Sequence, residues 1–239
     1  MTSCYQDIAN CTTSINNRIK QLVLYKKNIR PNSTNAKILQ LLYRDKSLTT
    51  RQISDAIGNK PYSYTKKMIL QLLSNKYIQC NKSRYNRQYH LTQMGRWFVI
   101  CENLDHVSFQ SLCMLAAVFY AARNNPNGPS RSYFMTSFFR KLFDESFEQS
   151  KSAVYSRQNI TLSIKMLIDR NLVHRIHQDI IKINLHYYEM LQEKYDEDLI
   201  TLAKWNYDIS EICKQEFLKH HVISDKQKNM LKLLYPKTN

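Results

Sequence analysis

Thr49-Thr50-Arg51-Gln52-Ile53-Ser54-Asp55-Ala56-Ile57-Gly58-Asn59-Lys60-Pro61-Tyr62 is the stretch on which the fold turns. Thr49 and Gln52 stand at the spacing of a capping box, in which each side chain satisfies the other residue's backbone N–H. Ile53, Ala56 and Ile57 then face inward, and Gly58 falls where a helix end calls for a left-handed residue. Pro61 suits the first position of the next helix, because its missing N–H would go unbonded there. A short helix, a tight turn and a second helix follow from these residues alone.

Upstream, Ser33 or Thr34 can cap a helix whose apolar stripe is Ile38, Leu39, Leu41 and Leu42, and Asp45–Leu48 reads as a short extended link. Downstream, the helix opened by Pro61 turns Thr65, Met68, Ile69 and Leu72 to one side. The other side presents Ser63, Lys66, Lys67, Leu70 and Ser74, flanked by Tyr62, Tyr64 and Gln71. Leu70 is out of place in that company; a thymine methyl and a neighbouring subunit are the two contacts that would suit it. Tyr77–Cys80 and Gln88–Leu91 read as strands around the basic link Asn81–Arg87, and a helix from Thr92 carries Met94, Trp97, Phe98 and Cys101.

This is the element order of a winged helix-turn-helix. Ile69-x-x-Leu72 followed by Tyr77-Ile78, and Tyr89-His90-Leu91-Thr92-Gln93-Met94-Gly95-Arg96, resemble the recognition-helix end and wing exit of MarR-, PadR- and ArsR-like transcriptional regulators. The resemblance covers residues 34–103, and its Leu-Thr-x-x-Gly-Arg stretch is the more specific part. It departs at Lys76, where those families carry glycine ahead of the first wing strand. It implies a DNA-binding protein acting as a homodimer.

Charge points the same way. The first 100 residues hold 17 Lys and Arg against Asp7, Asp45 and Asp55, whereas the remainder is nearly balanced. A cationic excess confined to one segment attracts polyanions, nucleic acid first. In the expected complex, helix 61–75 enters the major groove. Tyr62, Ser63 and Tyr64 reach bases or phosphates, Lys66 and Lys67 reach guanine or phosphate, and Gln71 reaches adenine. Lys82, Arg84 and Arg87 lie along the backbone or in a minor groove, and Arg51 and Lys60 clamp phosphate near helix starts. The competing reading is a solvated helix face beside a charged edge hairpin.

Elsewhere, Thr13–Asn28 has the pattern of an amphipathic helix and Phe109–Arg123 that of a buried one, followed by the breaker Asn124–Pro129. A helix carrying Tyr133, Phe134, Phe138 and Leu142 is expected next, then one over about Ser152–Asn171 burying Ile160, Ile164, Leu167 and Ile168. A hairpin over 172–183 follows, so the order of the first module repeats as a degenerate winged helix. A long helix over 186–220 bears a stripe from Tyr188 to Phe217, and Ser224 can cap a last one. The flanking helices either complete their own cores or pair across a twofold axis.

Catalysis is not expected: three glycines leave no material for a phosphate loop, and no nucleophile motif stands out. His174 and His177, three apart on a strand, are expected on opposite faces, and the run Asp196-Glu197-Asp198 is expected to be solvated. No cofactor or metal is expected. Six cysteines without a CxxC pair read as reduced thiols of a cytoplasmic protein. The longest stretch free of Asp, Glu, Lys and Arg, His106–Ala122, has 17 residues, short of the roughly 20 needed to span a bilayer. The chain thus reads as mainly α. A tail and amphipathic helix occupy 1–33, a winged helix with a small β-hairpin 34–103, a second helical domain 104–185, and C-terminal helices suited to dimerisation 186–239. Its partners are double-stranded DNA and a second copy, with no membrane and no named effector. The rivals are a replication initiator or plasmid-maintenance protein with tandem winged helices, and a protein-assembly module.

Overall fold

The computed structural model describes residues 29–58, 60–82, 87–136, 157–178 and 180–220, with 82, 157–159 and 205–220 as backbone only. The expected helices at 13–28 and after Ser224 lie outside these residues. The chain is mainly helical with two small antiparallel sheets.

Helix α1 (Thr34–Asp45) is capped by Ser33, whose hydroxyl accepts from Ala36 N. It leads through β1 (Leu48–Thr49) into α2 (Thr50–Ala56), where Thr49 and Gln52 form the full capping box. Gly58 turns the chain at φ +94°, Pro61 stands just ahead of α3 (Tyr62–Ser74), one position before the first helical residue expected of it, and β2 (Ile78–Lys82) pairs with β3 (Arg87–Leu91). The sheet order is β1-β3-β2. Ile38, Leu39, Leu42, Ile53, Ile69, Leu72 and Tyr77 are fully buried in its core.

Thr92 caps α4 (Gln93–Asn103), which bridges to a second core around α5 (Phe109–Arg123). Buried residues occur on every side of α5 because α4, α6, α7 and β6 surround it. A short 3₁₀ turn (Pro129–Arg131) leads to β4 (Phe134–Met135), then α6 (Arg157–Asp169), β5 (Val173–His177), β6 (Ile180–Ile183) and the long α7 (Leu185–His220). The second sheet runs β4-β6-β5, the order of the first.

The two sheets are entered and left through the same bonds. After α3, Lys76 N bonds Leu73 O and Tyr77 N bonds Leu72 O; after α6, Asn171 N bonds Ile168 O and Leu172 N bonds Leu167 O. Lys76 (φ 60°) and Asn171 (φ 55°) both take the left-handed conformation that this helix ending requires. At the hairpin exits Thr92 N bonds Tyr77 O and Asn184 N bonds Leu172 O. The Thr92 hydroxyl donates to Lys76 O at 2.6 Å, and Asn184 Nδ2 donates to Asn171 O at 2.7 Å.

Several expectations change. Ala56, expected to face inward on α2, is exposed, because the buried arc of that short helix runs through Thr50, Ile53 and Ser54. Phe134 belongs to strand β4 and not to a helix, since it pairs with Ile181 as Leu48 pairs with Tyr89; Tyr133 beside it is exposed. Phe138 and Leu142 lie outside the described residues. His174 and His177 pair with Lys182 and Ile180, two apart on β6, because a bulge at Arg175–His177 shifts the alternation and puts both on one face. Asp198 is only 5% exposed. It accepts from Arg96 Nε and Nη2 (2.7 and 3.1 Å), Gln93 Nε2 (3.1 Å) and the Tyr43 hydroxyl (3.3 Å), and its carbonyl accepts from Trp97 Nε1 (3.2 Å). Such a carboxylate is tolerable in the interior because its lone pairs are taken. Hydrogen bonding to Asp198 holds the Arg96 guanidinium more firmly charged than usual. Burial, then the Asp198 charge, raises the Tyr43 phenol pKa. Gln93 and Arg96, in the first turn of α4, therefore tie the first sheet's module to α7.

Candidate nucleic-acid interface

Helix α3 is amphipathic in the sense its sequence requires: Thr65, Ile69 and Leu72 are buried, and Met68 is half-buried beside them. The outer side exposes Ser63, Lys66, Lys67 and Leu70, with Tyr62 59%, Tyr64 41% and Leu70 55% exposed. Two flanking residues are held by α1. The Tyr64 hydroxyl lies 3.3 Å from Thr34 Oγ1, and Asn35 Nδ2 donates to Gln71 Oε1 at 3.2 Å. Adenine is read by an amide that both accepts and donates. The bond from Asn35 steers the exposed Gln71 amide but leaves its second lone pair and both its N–H donors. The stripe left open is Ser63, Lys66, Lys67 and Leu70, with Gln71 at its edge.

Arg51 is exposed in the first turn of α2, where Thr50 beside it is buried with its hydroxyl 3.5 Å from Tyr89 Oη. Lys60 is exposed ahead of α3, and its carbonyl is fixed by the Ser54 hydroxyl at 2.6 Å. Arg87 is exposed at the start of β3, opposite Lys82 in the register. The Lys82 side chain and the whole of Arg84 lie outside the described residues.

Among the described residues the ion pairs are Arg44–Asp45, Arg96–Asp198, Glu102–His106 and Arg123–Asp196. None involves Arg51, Lys60, Lys66, Lys67 or Arg87. Asp45, one of the two acids in residues 34–92, is occupied by its neighbour: Arg44 donates to both carboxylate oxygens at 3.0 and 2.8 Å. That bonding holds the Asp45 carboxyl below its ordinary pKa. Among the described residues the cations on α2, α3 and β3 thus face solvent with no acid in ion-pair contact; Asp55, exposed on α2, offsets one of their charges at most, and the excess gives an outward positive field.

No group of three or more His, Cys, Asp or Glu suited to a metal occurs among the described residues, and Cys80, Cys101 and Cys113 are free thiols. No helix there is long and apolar enough to cross a membrane. The Asp198 cluster escapes a sequence reading because its partners stand about 100 positions away. The brace from Asn35 to Gln71 escapes for the same reason, its two residues standing 36 positions apart. Compared with family models, curated proteins and solved structures, the chain matches none.

Proposed function

We propose that residues 34–92 form a winged helix-turn-helix that binds double-stranded DNA, with α3 in the major groove and the 82–87 turn against the backbone or minor groove. One observation carries this reading. The face of α3 left open by packing bears Ser63, Lys66 and Lys67, beside further cations that pair with no acid among the described residues. A helix fits the major groove and its exposed side chains meet base edges there, while surrounding cations hold phosphates and set affinity. Transcription regulation by a homodimer on a palindromic site is the function that suits such a module.

The recurrence of the strand order and helix ending in residues 109–184 favours a second reading, a tandem winged-helix protein reading repeated sites in replication or plasmid maintenance. In that reading Lys165 and Arg175, both exposed, would also touch DNA.

Titrating labelled duplex with the full chain at increasing salt tests the proposal. Affinity should fall steeply as salt rises, and Lys82→Ala with Arg84→Ala should flatten the log–log slope by about two. Absence of duplex binding would leave the protein-assembly reading. Weakening by Lys165→Ala with Arg175→Ala would favour the tandem reading over the regulator.

A further inference from the structure

We infer that Leu70 reads the 5-methyl group of thymine, making it a specificity-determining residue of the interface; this rests on the DNA-binding reading of α3. A leucine 55% exposed on an otherwise polar stripe leaves apolar surface in water. Among the described residues before β2 the other exposed large hydrophobics are Tyr62 and Tyr64, whose hydroxyls give them polar ends, so Leu70 is the purely aliphatic one. It lies three and four positions after Lys67 and Lys66, on the same side of the helix. The thymine methyl is the apolar group that the major groove offers, and aliphatic side chains meet it by contact.

The charges beside Leu70 decide between DNA and a second copy. Symmetric pairing of two α3 helices through Leu70 would bring Lys66 and Lys67 of each copy towards those of the other, with no acid on the stripe to offset them. A DNA groove supplies the anions those lysines lack. One helical turn rises about 5.4 Å, roughly one to two base pairs along DNA. The thymine should therefore lie within about that distance of the position contacted by Lys66 or Lys67.

The test uses a duplex selected by the full-length protein from a random pool, prepared with thymine and again with uracil at every thymine position. The wild-type protein should bind the uracil form about fourfold more weakly, the effect of about one buried carbon group. Leu70→Ala should bind both forms equally, near the wild-type affinity for the uracil form. The exposed position makes Leu70→Ala safe for the fold, which circular dichroism would confirm. Salt-sensitive duplex binding without a thymine–uracil difference would overturn the inference and leave the DNA-binding reading intact. So would a difference that persists in Leu70→Ala, or loss of self-association in that variant with no change in thymine preference. Failure of the wild-type protein to select or bind any duplex would overturn both.

Discussion

On the side of the first sheet turned away from its core, the strands present Thr49, Gln88, His90, Gln79 and Asn81. In the second sheet the same register positions hold Met135, Ile180, Lys182, His174 and His177, with Ile176 inserted at the bulge. Met135 and Ile176 are 44% and 55% exposed. The helices that precede the hairpins differ in the same way. Counting back from Lys76 and Asn171, both helices have 13 residues, and Ile69 and Leu72 of α3 match the buried Ile164 and Leu167 of α6. Outward, however, Lys66, Lys67 and Leu70 correspond to Thr161 and the exposed Leu162 and Lys165. The positions that make the scaffold are shared, and those that face outward are not. Helix endings and inward apolar residues are constrained by geometry and packing, whereas an outward residue is constrained by whatever it meets. The first module presents a polar, cationic face and the second a more apolar one, so the repeat of architecture does not extend to the surface.

Breaking the link between the modules should have the largest effect. Asp198→Ala leaves Arg96, Gln93 and Tyr43 without their shared acceptor. Stability in urea should fall by about 2 kcal/mol, less than for a fully buried pair because Arg96 is 41% exposed. An unchanged midpoint would mean that the two modules are held together by apolar packing alone.

Surface exchange should matter next. Lys66→Ala with Lys67→Ala should weaken duplex binding about tenfold and reduce the salt slope by about two, while Thr161→Ala with Leu162→Ala should leave both unchanged. Equal losses from the two pairs, measured by fluorescence anisotropy, would erase the distinction drawn between the helices.

The smallest effect concerns the two left-handed positions. Lys76→Gly should raise stability by up to about 1 kcal/mol by relieving a conformation costly for a residue with a Cβ. Asn171→Gly should gain less, since asparagine adopts that conformation readily, although it also exchanges a chain that tolerates the turn for one with more freedom when unfolded. Thermal melts of both variants would rank them, and a greater gain at Asn171 would contradict the argument.

Much of the first module was legible because its signals are local. The Thr49–Gln52 box, Gly58 and the buried set Ile69 and Leu72 each depend on residues a few positions apart. Gly95 of the Leu-Thr-x-x-Gly-Arg stretch was legible as a residue but not as a reason. A Cβ there would collide with the Tyr77 carbonyl, a close approach that only the folded hairpin creates. Phe134 was misread because two strand residues carry too little pattern to declare themselves without their partner on β6. Among site residues, the exposure of Ser63, Lys66, Lys67 and Leu70 followed from helical periodicity. The bracing of Gln71 by Asn35 and the burial of Asp198 depend on contacts across tens of residues, which periodicity does not encode.

The Asp198 junction has a consequence for the newly made chain. Arg96 leaves the ribosome 102 residues before the carboxylate it will hold, an interval of about 5–20 s at ordinary elongation rates. During that time the first module has its own core to fold around, and Arg96 has the Tyr43 ring of α1 beneath it but not yet its carboxylate. The nascent protein thus passes through a stage in which the first module exists before the helix that anchors its orientation.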